Sequence, residues 1–490
     1  FREYVREFMR NWMKENPKPN GENYNIYRDG LKIYVTLDSR LQKNAEEAMA
    51  EHLTNLQRIF FKQQKKNKTA PFYDLEKEQI ESTMLAAMKR SERWRKMKQN
   101  GASEKDIKAS FYVETPMKLF SWKGDIDTVL TPYDSIRYSK YILQSGLLST
   151  DPTTGHVKAW VGGIDYKYFQ YDHVKQGKRQ VGSTFKPFVY ATAINQLGLS
   201  PCDEFPNTPY TIPAGKYYLD EDWTPRNSGD EYGGLRSLKN ALANSINVIS
   251  ANLIDQTTPQ NVVRMAKNLG VETEIPAVPS VALGTVDLSL YEMVGALNTF
   301  ANKGMYVKPM MILRIEDKNG TILEEFTPET KEVLSESIAY TTINLMEGVT
   351  KYGSGIRLRT TGGKYPDNVA TGYPYKFDNP IAGKTGTTQN QSDGWFIGLV
   401  PNLSTGIWVG AEDRSVHFVD ITRGQGASMA LPIWALYMKR NYADEDLGIS
   451  KEAFEKPENL TINVDCDQET DEDDKEKDQK KPDLNEEIDF

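Results

Sequence analysis

Histidine and cysteine are scarce in this chain, and their scarcity excludes whole classes of chemistry. Four histidines occur in 490 residues, His52, His156, His173 and His417, with neither the spacing of a metal site nor a pattern that would form a catalytic triad. Two cysteines, Cys202 and Cys466, are too few for a disulfide framework and lack metal-binding spacing. Such poverty is compatible with an oxidising compartment without establishing it. No metal or organic cofactor is expected. No run of about 18 apolar residues is present to cross a membrane, and no signal peptide opens the chain. No basic stripe argues for nucleic acid as a partner.

Negative charge is unevenly spread. The whole chain carries a net charge of −8, yet residues 451–490 hold 16 acidic and 6 basic residues. The body is therefore close to neutral. From Asp465 to Asp483 nearly every residue is charged or polar, so 451–490 is expected to be a disordered acidic tail. The remaining length suffices for two or three domains with real cores.

Against these absences stands one short stretch, Gly182-Ser183-Thr184-Phe185-Lys186-Pro187-Phe188. A serine and a lysine three apart share one face of a helix's first turn. A serine hydroxyl is a poor nucleophile until a base takes its proton, and a lysine held neutral can be that base. A lone serine at a helix start is usually only an N-cap. Ser183 is, however, the only serine here with a lysine at the third position after it. Two further pieces follow in order. Ser245-Ile246-Asn247 falls in the loop after a short helix expected over Leu235 to Leu242, whereas Ser250-x-Asn252 lies inside the next apolar stretch. Lys384-Thr385-Gly386-Thr387-Thr388 occurs once, at the end of an expected buried strand. Each piece is weak by itself. Their order makes the set specific, and without a histidine base the lysine becomes the natural proton acceptor.

With Ser-x-x-Lys, Ser-x-Asn and Lys-Thr-Gly in this order, the chain resembles the transpeptidase half of class A, bifunctional penicillin-binding proteins, in the manner of those of Bacteroidetes. Matching words extend beyond the motifs: Asp29-Gly30-Leu31-Lys32-Ile33-Tyr34-Val35-Thr36, Thr131-Pro132-Tyr133-Asp134, Gly155-His156-Val157-Lys158-Ala159-Trp160, Trp223-Thr224-Pro225-Arg226-Asn227 and Asp393-Gly394-Trp395-Phe396. The resemblance covers roughly residues 22 to 440 and is poor near 60 to 110. Full members carry a membrane anchor and a glycosyltransferase domain, so the chain reads as a piece that follows them.

Periodicity and punctuation give a coarse map. An amphipathic helix is expected over residues 1–14, a strand over Leu31 to Leu37, and helices over Arg40 to Lys65 and Leu75 to Lys98. Strands are expected at Gly146–Ser149 and His156–Val161, then the Ser183 helix to Leu197. Later come helices near Asn261–Asn268, Leu288–Ala301 and Glu336–Glu347. Three successive strands, Ile381–Thr387, Gly394–Val400 and Thr405–Ala411, precede a closing helix at Ala430–Lys439. Helices flanking an antiparallel sheet make an α+β domain; the resemblance implies the fold shared by penicillin-binding proteins and serine β-lactamases. The expected divisions are a linker or pedestal region over 1–142 with a helical insertion near 60–110, a transpeptidase domain over 143–450, and the tail.

The resemblance implies roles. Ser183 is the nucleophile, Lys186 its base, Ser245 a proton relay, Asn247 an orienting amide and Lys384 a second cation that depresses the pKa of Lys186. Lys384, Thr385 and Thr387 bind a terminal carboxylate, beside Gly386 and Thr388. Trp223 and Asn227 line the donor cleft, with core packing weighed equally for both. Partners are then peptidoglycan stem peptides, a D-Ala-D-Ala donor and an amine acceptor, with β-lactams as inhibitors. Cell-wall synthesis proteins could dock on the 60–110 insertion, at the periplasmic face of the inner membrane. The competing readings are a β-lactamase, a D,D-carboxypeptidase and a non-catalytic penicilloyl sensor.

Overall fold

In a computed structural model that describes residues 1–359, 365 and 368–466, the centre is a five-stranded antiparallel sheet. Its strands are β1 (Gln144–Thr150), β2 (Val157–Val161), β3 (Ala382–Thr387), β4 (Asp393–Val400) and β5 (Leu403–Gly410), in the spatial order β3-β4-β5-β1-β2. Hairpins join β4 to β5 and β1 to β2, and β5 pairs with β1 across a long sequence gap. Both faces of β1, β4 and β5 are buried, which is why these segments read as near-continuous apolar runs.

Helices cover the two faces. On one, Lys186–Leu197, Asn247–Thr257, Leu290–Ala301 and Glu336–Lys351 share a core through Phe188, Ile249, Leu297 and Ile343. On the other, Ser39–Gln64 and Leu431–Ala443 pack through Leu53, Phe60, Trp434 and Tyr437. Local chemistry explains the boundaries. Ser289 and Glu292 form a reciprocal capping box that starts Leu290–Ala301, two residues later than expected. Asp38 caps Ser39–Gln64.

The N-terminal region is not contiguous in space. Helix Arg2–Glu15 buries Met9 and Trp12 against Ile312 and Ile315. Strand Lys32–Val35 pairs with Ile312–Glu316, which pairs in turn with Ile322–Glu325. The pedestal therefore borrows residues 312–325, and Ser39–Gln64 belongs to the core of the central sheet. The helix expected over Leu75–Lys98 is broken in two. Ser91 adopts an extended backbone and its hydroxyl accepts the N–H of Trp94, so Lys77–Arg90 ends and Glu92–Gln99 begins. With Glu104–Ser110 these helices enclose a small core of Met88, Trp94, Ile107 and Phe111.

The expectation of a disordered tail is corrected over residues 451–466. Residues 451–466 are anchored at a few points while most of their side chains stay exposed: Phe454 and Val464 are buried, and Lys303 bridges Glu455. Cys466 is disulfide-bonded to Cys202, with a Cα–Cα distance of 5.1 Å. The apolar anchors Phe454, Ile462 and Val464 supply the burial that the surrounding charge obscures. A bond closing 264 residues leaves no spacing signature to read. Residues 467–490, with most of the acidic run, lie outside the described residues.

Candidate active site

The turn that carries Ser183 is built by glycines. Ser183 lies on a single 3₁₀ turn, Gly182–Phe185, that runs directly into the helix Lys186–Leu197, so the α-helix expected to carry Ser183 begins only at Lys186. Pro187 occupies the first turn of that helix, where a missing N–H costs least. Gly182 has φ +52, and a Cβ there would come within 2.8 Å of the Thr387 carbonyl oxygen. On the facing strand, a Cβ on Gly386 would come within 2.8 Å of both Thr184 and the Val181 carbonyl oxygen. The two glycines thus allow the Ser183 turn to lie directly against edge strand β3.

Lys186 is fully buried, and its Nζ donates to the Ser245 carbonyl at 2.6 Å and to Asn247 Oδ1 at 2.8 Å. Lys384, on β3, is also fully buried, and its Nζ donates to Ser245 Oγ at 3.1 Å and to the Thr385 carbonyl at 3.0 Å. No carboxylate pairs with either ammonium among the described residues. Burial, and secondarily the neighbouring Lys384, hold the Lys186 pKa well below its ordinary value of 10.5. Burial alone pulls Lys384 down to about 7. Ser245 has φ +60, a sparsely populated conformation for a non-glycine residue. That turn aims its carbonyl at one lysine and its hydroxyl at the other.

The remaining motif residues divide by what they touch. Thr385 Oγ1 lies 2.6 Å from Ser354 Oγ. Thr387 Oγ1 accepts the Gly426 N–H at 3.0 Å. Thr388 Oγ1 donates to the buried carboxylate of Asp393 at 3.2 Å, and Asp393 also accepts from Arg179 Nε at 2.6 Å and Trp408 Nε1 at 2.9 Å. This ion pair ties the segment that leads to Ser183 to the residue after β3, Thr388. Trp395 is core, its indole N–H bonded to the Gln180 carbonyl. Trp223 is half-buried and joins Ile212 in an isolated bridge. Asn227 is buried, and its amide is occupied by protein groups: Oδ1 accepts the N–H of Asn247 and of Val248, and Nδ2 donates to Asn207 Oδ1 and the Glu231 carbonyl.

Sequence reasoning picked out Ser183, Lys186, Ser245, Asn247 and Lys384, and the structure brings the three motif segments that carry them together. It missed Ser354, Gly426 and the Asp393–Arg179 pair. Gly353-Ser354-Gly355 reads only as a turn in the sequence, and the other two gain their meaning from partners far along the chain. Histidine stays out of this network. His52 is buried against Thr371 and the Ser428 carbonyl, and burial pulls it down to about 4. No cluster that could hold a metal occurs among the described residues.

Comparison with known proteins agrees with this geometry. The model of the penicillin-binding protein transpeptidase domain matches residues 146–412, and that of the penicillin-binding protein middle domain matches residues 67–143. Penicillin-binding protein 1A of Aquifex aeolicus is 31% identical over 454 residues, covering 89% of this chain and 57% of that protein. Penicillin-binding protein 1A of Neisseria gonorrhoeae is 28% identical over 469 residues, covering 89% and 55%. The chain thus spans about half the length of the curated relatives it matches. Among solved structures, penicillin-binding protein 1A from Haemophilus influenzae superposes with a TM-score of 0.64 at 21% identity, covering 93% of this chain and 72% of that one. PonA1 from Mycobacterium tuberculosis in complex with penicillin V gives a TM-score of 0.59 at 20% identity, covering 90% and 93%. The chain belongs to the penicillin-binding protein transpeptidase family, as a homologue of the class A penicillin-binding proteins 1A.

Proposed function

We propose that this chain is a serine D,D-transpeptidase that cross-links peptidoglycan stem peptides through an acyl-enzyme on Ser183. The observation that carries the reading is the pair of buried lysines, one beside the nucleophile turn and one on β3, bridged by Ser245. A lysine is useful as a base only if neutral near pH 7, and Lys186 has the burial and the cationic neighbour to be so.

Ser183 Oγ attacks the carbonyl carbon of the D-Ala-D-Ala bond while Lys186 takes the hydroxyl proton. Backbone N–H groups of Ser183 and Thr387 stabilise the developing oxyanion, usually the largest electrostatic contribution to acyl transfer. Lys384, Thr385 and Thr387 hold the donor's terminal carboxylate. The C–N bond breaks, and the proton reaches the departing D-alanine amine through Ser245. An amine of a second stem peptide then attacks the ester, loses its proton to the same base, and returns Ser183 to its starting state. β-Lactams acylate Ser183 because their strained amide stands where the donor amide stands; the penicillin V complex of the similar PonA1 fits this. The setting is the periplasmic face of the inner membrane. No helix among the described residues is long and apolar enough to cross a membrane.

A fluorescent penicillin tests the reading. The expected result is a stable adduct on Ser183, mapped by mass spectrometry and absent in Ser183→Ala. Rapid loss of the adduct supports a β-lactamase, and release of D-alanine from a pentapeptide without cross-linking supports a carboxypeptidase. A stable adduct with no turnover of stem peptides supports a penicilloyl sensor. A folded chain that never labels defeats every acyl-enzyme reading.

A further inference from the structure

We infer that Asn227 is a positioning residue for the general base. It fixes Asn247, and through Asn247 the direction in which Lys186 presents its lone pair. The inference rests on the acyl-transfer reading above.

A neutral amine has two N–H bonds and one lone pair. Lys186 spends both N–H bonds on the Ser245 carbonyl and Asn247 Oδ1, so those two acceptors set where the lone pair points. The Ser245 carbonyl is main chain. Asn247 is different, because a side-chain amide can present either its oxygen or its nitrogen. A turned amide would set an NH₂ against the amine, where it either faces an N–H with no acceptor or donates into the lone pair and consumes the base. The Arg226 carbonyl prevents this by accepting Asn247 Nδ2 at 2.7 Å.

What holds the Arg226 carbonyl there is the next residue. Asn247 begins the helix Asn247–Thr257, whose own N-cap, Ile246, has no polar side chain. The helix is capped from outside. Asn227 Oδ1 accepts the N–H of Asn247 at 3.0 Å and of Val248 at 3.2 Å. On its other side Nδ2 donates to Asn207 Oδ1 at 2.7 Å and to the Glu231 carbonyl at 2.8 Å. The chemistry fixes the orientation of this amide: two backbone N–H groups require an oxygen, and a backbone carbonyl requires a nitrogen. Asn227 is thereby sutured to the start of the helix, with the Arg226 carbonyl beside it and no hydrogen-bonding capacity left for a donor peptide. The Trp223–Asn227 segment acts on the base from behind rather than lining the cleft at Asn227.

The test compares Asn227→Ala and Asn227→Asp in the full chain with a fluorescent penicillin, separating the fraction of enzyme that labels from the rate constant of acylation. Asn227→Ala is expected to label to the same extent with a rate constant about 10- to 100-fold lower, part of what a general base supplies. Asn227→Asp keeps both acceptor bonds to the helix but sets a carboxylate oxygen against the Glu231 carbonyl, so it is expected to recover part of the rate and to exceed the alanine variant. An unchanged rate constant in Asn227→Ala, or an aspartate no better than alanine, overturns the inference. A crystal structure gives a readout independent of acylation. In Asn227→Ala the Asn247 amide should leave Lys186, and an undisturbed Lys186–Asn247 contact overturns the inference even if the unsubstituted chain proves unable to label. If the alanine variant does not fold, the aspartate variant must retain that contact, and its loss there counts against the cap.

Discussion

Replacing Lys384 by methionine removes one of two buried ammonium groups while nearly conserving volume. The folded chain holds the Lys384 proton more weakly than the unfolded chain, with a pKa of about 7 against the ordinary 10.5. Folding therefore releases a proton over this window, and stability rises as pH climbs from about 7 to about 10.5. At about 1.4 kcal/mol per pH unit, the ammonium destabilises the fold by about 5 kcal/mol at pH 6 and about 2 kcal/mol at pH 9. Lys384→Met abolishes this term. It also strips a donor from Ser245 Oγ and the Thr385 carbonyl, costing about 1–3 kcal/mol at either pH. The variant should thus be more stable than the parent by about 2–4 kcal/mol at pH 6 and about equal to it at pH 9. Chemical denaturation at the two pH values measures this, and the diagnostic quantity is the difference of about 3 kcal/mol, from which the hydrogen-bond cost cancels. Acylation should be nearly lost, and any residual rate should need a higher pH, because Lys186 no longer feels the second cation. A stability change that is the same at pH 6 and pH 9 would refute the reasoning.

Other perturbations follow from particular contacts. Ser354→Ala removes the hydroxyl partner of Thr385; at about 1 kcal/mol for one hydrogen bond, the second-order acylation constant should fall about fivefold, and an unchanged constant would exclude Ser354 from the carboxylate site. Gly386→Ala places a methyl group within 2.8 Å of Thr184 and the Val181 carbonyl, so edge strand and nucleophile turn must separate; labelling should drop at least tenfold with about 1–3 kcal/mol of stability, whereas a fully active variant would mean the two segments are not in contact. Cys202→Ser should lower stability by about 2–4 kcal/mol, and a reducing agent should lower the unsubstituted chain equally while leaving the variant unaffected. An unsubstituted chain indifferent to reductant would count against the bond.

Much of the fold was legible because it follows local rules. The apolar runs of β1, β4 and β5 are buried on both faces and could be read as strands. Helices with explicit caps, such as Leu290–Ala301 after Ser289, begin within two residues of the expected start. Errors arose where a long-range partner or a single cap prevailed over composition. Ser91 divides one expected helix into two through a hydroxyl bond to its own backbone neighbour. The segment 451–466 looked unfoldable by charge, but Phe454 and Val464 found a core and Cys466 found Cys202. Strand Lys32–Val35 was expected, but nothing local says that it pairs with Ile312–Glu316.

The division is clearest at the site. Which side chains are present, in what order, and that no histidine competes for the role of base are properties of the chain, because covalent sequence alone sets chemical identity and local spacing. Whether a lysine is a base is not such a property. The same Lys186 in water would be an ammonium at neutral pH. It becomes a candidate base because folding removes water from around it, brings Lys384 from nearly two hundred residues away, and supplies Ser245 and Asn247 as acceptors for its two remaining hydrogens. Desolvation and Coulomb repulsion depend on distances in space, and those distances exist only once the sheet edge, the nucleophile turn and the capped helix have packed together.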